Sequence, residues 1–243
     1  MRLKTVVCAL AALAMLPFAS PARAQQSEKQ QEKVFEKEIK VKVRLAYLLY
    51  LPNGYEKSEN NWPLVIFLHG AGETGSDLSM VKKHGPPKLA DQGKEFPFIL
   101  VSPQAPARGW NVDTLNGFLD DLQSQLKVDK DRIYLTGLSM GGFGTWSWAA
   151  AHPERFAAIV PICGGGNPSD AKKLKDLPIW VFHGGKDPAV PIARSEEMVK
   201  ALREAGANVK FTIYPEAGHD SWTQTYDNPE VYFWLLSQRR AEK

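Results

Sequence analysis

The stretch Gly137-Leu138-Ser139-Met140-Gly141-Gly142 decides the fold. The apolar run at 132–136 before it predicts a buried strand. Residues 143–151 after it are rich in Trp and Ala, lack proline and predict a helix. A Gly-x-Ser-x-Gly sequence between a strand and a helix is typical of a nucleophile elbow, in which small neighbours let the two backbones approach. We therefore expect Ser139 to be a nucleophile that needs a base and a group to orient that base.

Two later predicted strands are each followed by a residue of the kind that the serine needs. Asp187 follows the apolar run 179–182, and His219 follows the strand predicted at 209–214. Because ligands of open parallel sheets bind at the carboxyl ends of the strands, these side chains are expected to converge. The order Ser, Asp, His is also the one that accompanies a nucleophile elbow. We predict that His219 takes the proton from Ser139 and that Asp187 orients the imidazole.

Other acids and histidines have simpler interpretations. Asp170 and Asp176 are expected to be solvated, and the side chain of Asp220 is expected to point away from the base. The remaining histidines are interpreted as structural or left without a role: His69 and His183 end strands, His152 ends the helix after the elbow, and His84 lies in a loop of uncertain structure.

A hydrolytic serine also needs N–H donors for the oxyanion. The N–H of Met140, directly after the nucleophile, is the first candidate, and Ala71 in the loop 69–75 is the second, with Gly72 as its alternative. Trp110 and Trp222 fall on loops of the same face. Each is a candidate wall of the substrate pocket, although packing of the loops explains them equally well.

No cofactor or metal is expected. Gly70-x-Gly72-x-x-Gly75 matches a dinucleotide fingerprint, but Pro86-Pro87 interrupts the required helix and no acid closes the next strand. The sequence has no His-Glu-x-x-His and no paired cysteines of a zinc site. Cys163 lacks an elbow of its own, so a buried structural thiol is favoured over a second nucleophile.

The N-terminal residues predict export. A basic start, an apolar run over 6–16 and Ala22-Arg23-Ala24 are typical of a signal peptide over 1–24, followed by a polar arm over 25–33 and one domain over 34–243. Three of the 30 basic residues lie in the signal peptide, leaving 27 against 27 acidic residues. A neutral mature chain gives no reason to expect a nucleic-acid partner. We expect a secreted or periplasmic protein that does not insert into the membrane once the signal is removed.

Alternation of apolar strands with helices predicts an α/β fold with a doubly wound, mostly parallel sheet. Apolar and charged residues alternate over 35–45, and an apolar stretch follows over 46–51. Together they predict an antiparallel beginning to the sheet. The segment between the strands near 162 and 179 is short, which predicts an open site without a large lid.

The chain resembles the α/β-hydrolase superfamily, in particular its phospholipase/carboxylesterase and dienelactone-hydrolase-like group. The resemblance rests on four segments: Leu68-His69-Gly70-Ala71-Gly72-Glu73-Thr74-Gly75, the elbow, Asp187-Pro188-Ala189-Val190-Pro191 and Gly218-His219-Asp220-Ser221-Trp222. It implies an eight-stranded sheet and a serine carboxylesterase that works through an acyl-enzyme on a small or polymer-borne ester, without cofactor. Dienelactone hydrolases proper use a cysteine where this chain has Ser139. A small serine peptidase or amidase, an acyltransferase and a non-catalytic binding protein remain open as alternatives.

Overall fold

The structure is a computed structural model that describes residues 33–37 and 42–240. The predicted signal peptide and nearly all of the polar arm lie outside the described residues. Residues 33–37 form no regular element and belong to a separate unit from the domain that begins at Lys42.

The domain alternates strands with helices along the chain. Its strands are β1 (Ala46–Tyr50), β2 (Trp62–Leu68), β3 (Ile99–Gln104), β4 (Val128–Leu138), β5 (Ala158–Ile162), β6 (Ile179–Gly184) and β7 (Val209–Tyr214). Its α-helices are α1 (Gly85–Asp91), α2 (Val112–Gln125), α3 (Met140–Ala151), α4 (Ala171–Leu174), α5 (Ala193–Glu204), α6 (Trp222–Asp227) and α7 (Pro229–Ser237). Short 3-10 helices span Ala71–Glu73, Leu78–Lys83, Pro153–Arg155 and Pro168–Asp170.

The strands form one sheet in the order β1-β3-β2-β4-β5-β6-β7. β1 pairs antiparallel with β3, and every other pair is parallel. The central strand β4 ends at Leu138, directly before Ser139, so the nucleophile candidate lies at the carboxyl edge of the sheet. The predicted α/β class and mostly parallel sheet are confirmed.

The expectation of eight strands is wrong for the described part of the chain, which has seven. The alternation at 35–45 was the reason to expect more strand before β1, yet residues 33–37 and 42–45 form none, and 38–41 lie outside the described residues. Residues 42–44 are exposed. Alternation predicts a strand only where one face is buried. At residues 33–37 and 42–44 neither face is buried, so water can satisfy the backbone.

Apolar side chains cover both faces of the sheet. One cluster packs β-strand residues against α2, α3, α4 and α5, and includes Leu119, Trp146 and Leu202. The other packs the opposite face against α6 and α7, with Tyr226 and Leu235 among its members. Strands buried on both faces explain why β2 to β6 read as continuous apolar runs.

Helix α1 was missed by the sequence prediction, which took Pro86 and Pro87 as an interruption. Both prolines lie in the first turn of this helix, where a missing N–H costs nothing because those N–H groups have no partner within the helix. Within residues 33–37 and 42–240, no helix is both long enough and apolar enough to cross a membrane.

Candidate active site

The elbow holds Ser139 between β4 and α3 at a φ of 52°, a left-handed conformation that is strained for a residue with a side chain. Its glycines allow the close approach that the turn needs. A Cβ at Gly141 would collide with the carbonyl oxygen of Leu68, and a Cβ at Gly137 would collide with that of Gly141. The serine hydroxyl is thereby presented at the end of the sheet.

Ser139, His219 and Asp187 form one continuous hydrogen-bonded chain. The Oγ of Ser139 lies 2.9 Å from Nε2 of His219, and Nδ1 of His219 lies 2.7 Å from Oδ2 of Asp187. His219 is about a quarter exposed and the side chain of Asp187 is fully buried. The sequence placed these three residues after separate strands, and the structure brings all three together.

Several donors surround the Asp187 carboxylate. Its Oδ1 accepts from the backbone N–H groups of Ala189 and Val190 at 2.8 and 2.9 Å. Nε2 of His183 lies 2.9 Å from the carbonyl oxygen of Val190 and 3.3 Å from Oδ2 of Asp187. Burial is the largest single influence and opposes ionisation, but the hydrogen bonds from His219, Val190 and Ala189 outweigh it. The pKa of Asp187 therefore lies below its ordinary value.

Two N–H groups at the site belong to first residues of helices. Met140 begins α3 and Ala71 begins the 3-10 helix Ala71–Glu73, so neither N–H has an acceptor within its own helix. Both residues line the same cleft as Ser139. His69 fixes the loop of Ala71: its Nε2 accepts from the N–H of Ala105 at 2.9 Å, and its Nδ1 lies 2.6 Å from the carbonyl oxygen of Gly70.

A cleft of about 420 Å³ opens beside the serine. Its walls are Ala71, Arg108, Gly109, Trp110, Ser139, Met140, Phe143, Gly144 and Ser147. Trp110 was expected here, and its indole Nε1 donates to the carbonyl oxygen of His69 at 3.3 Å. Phe143 and Ser147 were missed. The available signal was their spacing: Phe143 lies four residues after Ser139 and Ser147 four residues after Phe143, which places both along one helix face.

Trp222, the second pocket candidate, lines a different wall. It packs edge-to-face on His219 with 5.2 Å between ring centres, and it is absent from the walls of the cleft. The segment between β5 and β6 holds only a 3-10 helix and the single turn α4, so no large lid is built from it.

Cys163 is buried and free, directly after β5. Its Sγ lies 3.3 Å from the backbone N of Ser139, and its φ of 40° is unusual for a residue other than glycine. Burial raises the pKa of this thiol to about 12. Among the described residues, its sulfur, Asp187 and His219 are the one group whose ligand atoms lie close enough to hold a metal ion, within 4.8 Å. Asp187 and His219 already form a hydrogen bond with each other.

The remaining candidates lie away from this chain of hydrogen bonds. Asp170 pairs with Lys173, Asp176 is exposed, and Asp220 accepts from Thr223. His152 ends α3. His84, to which the sequence assigned no role, lies against Trp222.

Comparison with known proteins identifies the family of the chain. The model of the dienelactone hydrolase family matches residues 88–232, more than half of the chain. The chain belongs to the dienelactone hydrolase family. The resemblance drawn from the sequence is thereby confirmed, and the family is one of hydrolases that act on esters.

Individual relatives are similar over different parts of the chain. A putative carboxymethylenebutenolidase of Methylorubrum extorquens is 34% identical over 102 residues, 38% of this chain and 35% of that protein. Acyl-protein thioesterase 1 of Neurospora crassa is 28% identical over 226 residues, 74% of this chain and 89% of that protein. The crystal structure of a thermostable esterase superposes with a TM-score of 0.72 at 35% identity, covering 82% of this chain and 60% of that one. The chain spans about a third to a half of the length of the first curated relatives it matches.

Proposed function

We propose that this protein is a serine hydrolase that cleaves carboxylic esters through an acyl-enzyme. The observation that carries the proposal is the unbroken hydrogen-bond chain from Ser139 through His219 to Asp187. A free serine hydroxyl is a poor nucleophile. It is activated by a base that contacts it and by a carboxylate that orients the base.

In the first half of the reaction, Oγ of Ser139 attacks the ester carbonyl while Nε2 of His219 takes the hydroxyl proton. The buried carboxylate of Asp187 keeps the proton of His219 on Nδ1 and stabilises the imidazolium that forms. The N–H groups of Met140 and Ala71 donate to the oxyanion of the tetrahedral intermediate. His219 then protonates the leaving alcohol, and the acyl group remains on Ser139.

In the second half, a water molecule enters beside His219, which is partly exposed. His219 removes a proton from this water, and the hydroxide attacks the acyl carbonyl within the same pair of N–H donors. Collapse of the intermediate returns the proton from His219 to Ser139 and releases the acid. No step requires a group beyond those of the chain and water.

The cleft of about 420 Å³ beside Ser139 is the proposed acyl site, because its apolar walls include Trp110 and Phe143. A cleft of this size suits short or aromatic acyl groups better than long chains. We therefore expect higher activity on p-nitrophenyl acetate, p-nitrophenyl butyrate and methyl ferulate than on emulsions of long-chain esters.

The test is hydrolysis of these esters by the wild-type protein beside Ser139→Ala. Replacement of a member of such a triad costs about four to six orders of magnitude in kcat. Ser124→Ala is a matched control, because Ser124 is an exposed residue of α2. Activity that survives Ser139→Ala, or a wild type inactive on the whole panel, would contradict the proposal.

A further inference from the structure

A second histidine is buried directly behind the carboxylate of the proposed triad. His183, near the end of β6, is fully buried, and its Nε2 lies 3.3 Å from Oδ2 of Asp187. This is the same oxygen that contacts Nδ1 of His219. The proposed reaction gives His183 no part, although its ring adjoins the carboxylate on which the reaction depends.

The neighbours of His183 determine where its ring carries a proton. Nε2 faces two groups that can only accept hydrogen bonds, the carbonyl oxygen of Val190 at 2.9 Å and the ionised carboxylate of Asp187 at 3.3 Å. Nε2 therefore carries a proton, and the contact with Val190 is the one that has hydrogen-bond geometry. His183 donates to this carbonyl and lies beside Oδ2 of Asp187.

This hydrogen bond fixes the backbone that holds the carboxylate. Val190 donates its N–H to Oδ1 of Asp187 at 2.9 Å and accepts the Nε2 proton of His183 at its carbonyl. A residue that is bound at both its N–H and its carbonyl cannot rotate without breaking one of the two bonds. His183 thus sets the direction of an N–H group that orients Asp187.

Ser195 holds the other side of the imidazole ring. Its Oγ lies 2.7 Å from Nδ1 of His183, and the residue is buried in the first turn of α5. The same hydroxyl lies 3.1 Å from the carbonyl oxygen of Gly164, in the loop after β5. Both nitrogens of His183 are therefore engaged, and the ring cannot turn without losing buried hydrogen bonds on both sides.

Gly164 connects this network to the nucleophile elbow. A Cβ at Gly164 would lie 2.6 Å from the carbonyl carbon of Gly142, in the first turn of α3, so the two backbones are in close contact. The network therefore leads from the elbow to Asp187 along a second path, separate from the hydrogen bonds of the triad. Such a path holds the two ends of the triad in place while the imidazole between them gains and loses a proton.

His183 has no direct access to a substrate. Neither His183 nor Ser195 lines the cleft beside Ser139, and both side chains are buried. Any effect of His183 on the reaction must therefore pass through the residues that it contacts.

We propose that His183, held in place by Ser195, is a positioning residue of the proposed triad. It fixes Val190, and through that residue it keeps Oδ2 of Asp187 directed at Nδ1 of His219. The proposal rests on the proposed function and adds to it the group that holds the carboxylate in position.

Two substitutions at one position separate the hydrogen-bond donor from the bulk of the side chain. His183→Leu fills similar space without a donor, whereas the amide of His183→Gln can still donate to the carbonyl of Val190. Ser195→Ala removes the partner of Nδ1 and leaves the ring in place.

Tyr134→Phe is the matched control. It deletes a different hydrogen bond of the domain, from the hydroxyl of Tyr134 to the carbonyl oxygen of Gln238. Tyr134 is five residues before Ser139, about 16 Å along a strand. The control therefore reports what the loss of a hydrogen bond does to the fold without disturbing Asp187.

The first readout is kcat/KM for p-nitrophenyl butyrate, with circular dichroism and thermal unfolding to verify that each variant is folded. We expect His183→Leu to lower kcat/KM by about 10- to 100-fold, because the carboxylate is no longer held in the productive position. His183→Gln should retain most of the activity, and Ser195→Ala should lose about three- to tenfold, the effect of one hydrogen bond. Tyr134→Phe should unfold at a lower temperature and keep the wild-type kcat/KM.

The second readout is the proton resonance of the Nδ1–H of His219, observed by NMR in protein labelled with ¹⁵N-histidine. This proton lies in the hydrogen bond to Oδ2 of Asp187, so its resonance reports on that bond without any substrate. We expect it to move upfield or disappear in His183→Leu and to stay near its wild-type position in His183→Gln and Tyr134→Phe.

A double-mutant cycle of His183→Leu with Asp187→Asn tests whether the effect passes through the carboxylate. If it does, His183 has nothing left to position once the carboxylate is gone, and the double variant should have the same kcat/KM as Asp187→Asn alone. A further 10- to 100-fold fall in the double variant would show an independent effect and overturn the proposal.

Other outcomes would also overturn the proposal and leave the esterase intact. These are a folded His183→Leu protein with wild-type activity and an unchanged Nδ1 resonance, or equal losses of activity in His183→Leu and His183→Gln. If His183→Leu does not fold, Ser195→Ala decides, and wild-type activity in that variant would contradict the proposal. A wild type that hydrolyses no ester would overturn the proposed function, while the NMR comparison would still test the position of Asp187.

Discussion

Asp187→Asn is the substitution whose effect the structure specifies most closely. In the native protein, Oδ1 of Asp187 accepts two backbone N–H groups and Oδ2 accepts from Nδ1 of His219. An asparagine has a single acceptor oxygen, and the two N–H groups of Ala189 and Val190 hold that oxygen toward the backbone. Its NH₂ group then faces His219, whose Nδ1 must become an acceptor.

The proton of His219 consequently moves to Nε2, which can no longer accept the proton of Ser139. We expect kcat to fall by about 10⁴-fold, the cost of the wrong tautomer in a triad. The assay is hydrolysis of p-nitrophenyl butyrate, with circular dichroism and thermal unfolding to verify that the variant is folded. Asp176→Asn, at an exposed position, is the control. A folded Asp187→Asn protein that retains more than about a tenth of the wild-type kcat would refute this reasoning.

Three further predictions concern the elbow, the buried thiol and acid stability. Gly141→Ala should lower the free energy of unfolding by more than about 3 kcal/mol or abolish folding, because its Cβ would lie 2.8 Å from the carbonyl oxygen of His69 and closer still to that of Leu68. Gly117→Ala, in the exposed middle of α2, should raise the same free energy by about 0.5–1 kcal/mol, because a Cβ added there would meet no other atom within 4 Å. Urea unfolding measures both free energies, and equal effects of the two substitutions would contradict the packing described. Burial raises the pKa of Cys163 to about 12, so its thiol should resist iodoacetamide at pH 8 in the native protein and react on unfolding. Mass spectrometry would detect the modification, and rapid labelling of the native protein would be inconsistent with burial of the thiol. The pKa of Asp187 is lowered on folding, so ionised Asp187 contributes to stability above about pH 4. This contribution is lost as the pH falls through the pKa of the folded state. The free energy of unfolding of wild type should therefore fall more than that of Asp187→Asn between about pH 5 and pH 2. Parallel pH curves for the two proteins would contradict that assignment.

The parts of the fold that could be predicted from sequence are those that local pattern determines. β2 to β6 are buried on both faces and therefore read as apolar runs, and the Gly-x-Ser-x-Gly turn marks where the central strand ends. Since parallel strands end at one edge of the sheet, the convergence of Asp187 and His219 on Ser139 also followed from their places after strands.

Features that depend on tertiary surroundings could not be predicted in this way. The alternation at 35–45 predicted a strand, but no buried face supports one at 42–44. The prolines that open α1 read as an interruption, because the same residue type both starts and breaks helices. The contacts of His84 with Glu73 and with Trp222 join three separate segments, and no local spacing encodes them.

The most direct measurement is active-site labelling with a fluorophosphonate, followed by peptide mapping of the modified residue. A serine activated by His219 should be labelled stoichiometrically at Ser139, with complete loss of ester hydrolysis, and Ser139→Ala should not be labelled. Labelling of any other residue that abolishes activity, or undiminished labelling of Ser139→Ala, would contradict the assignment of Ser139 as the nucleophile.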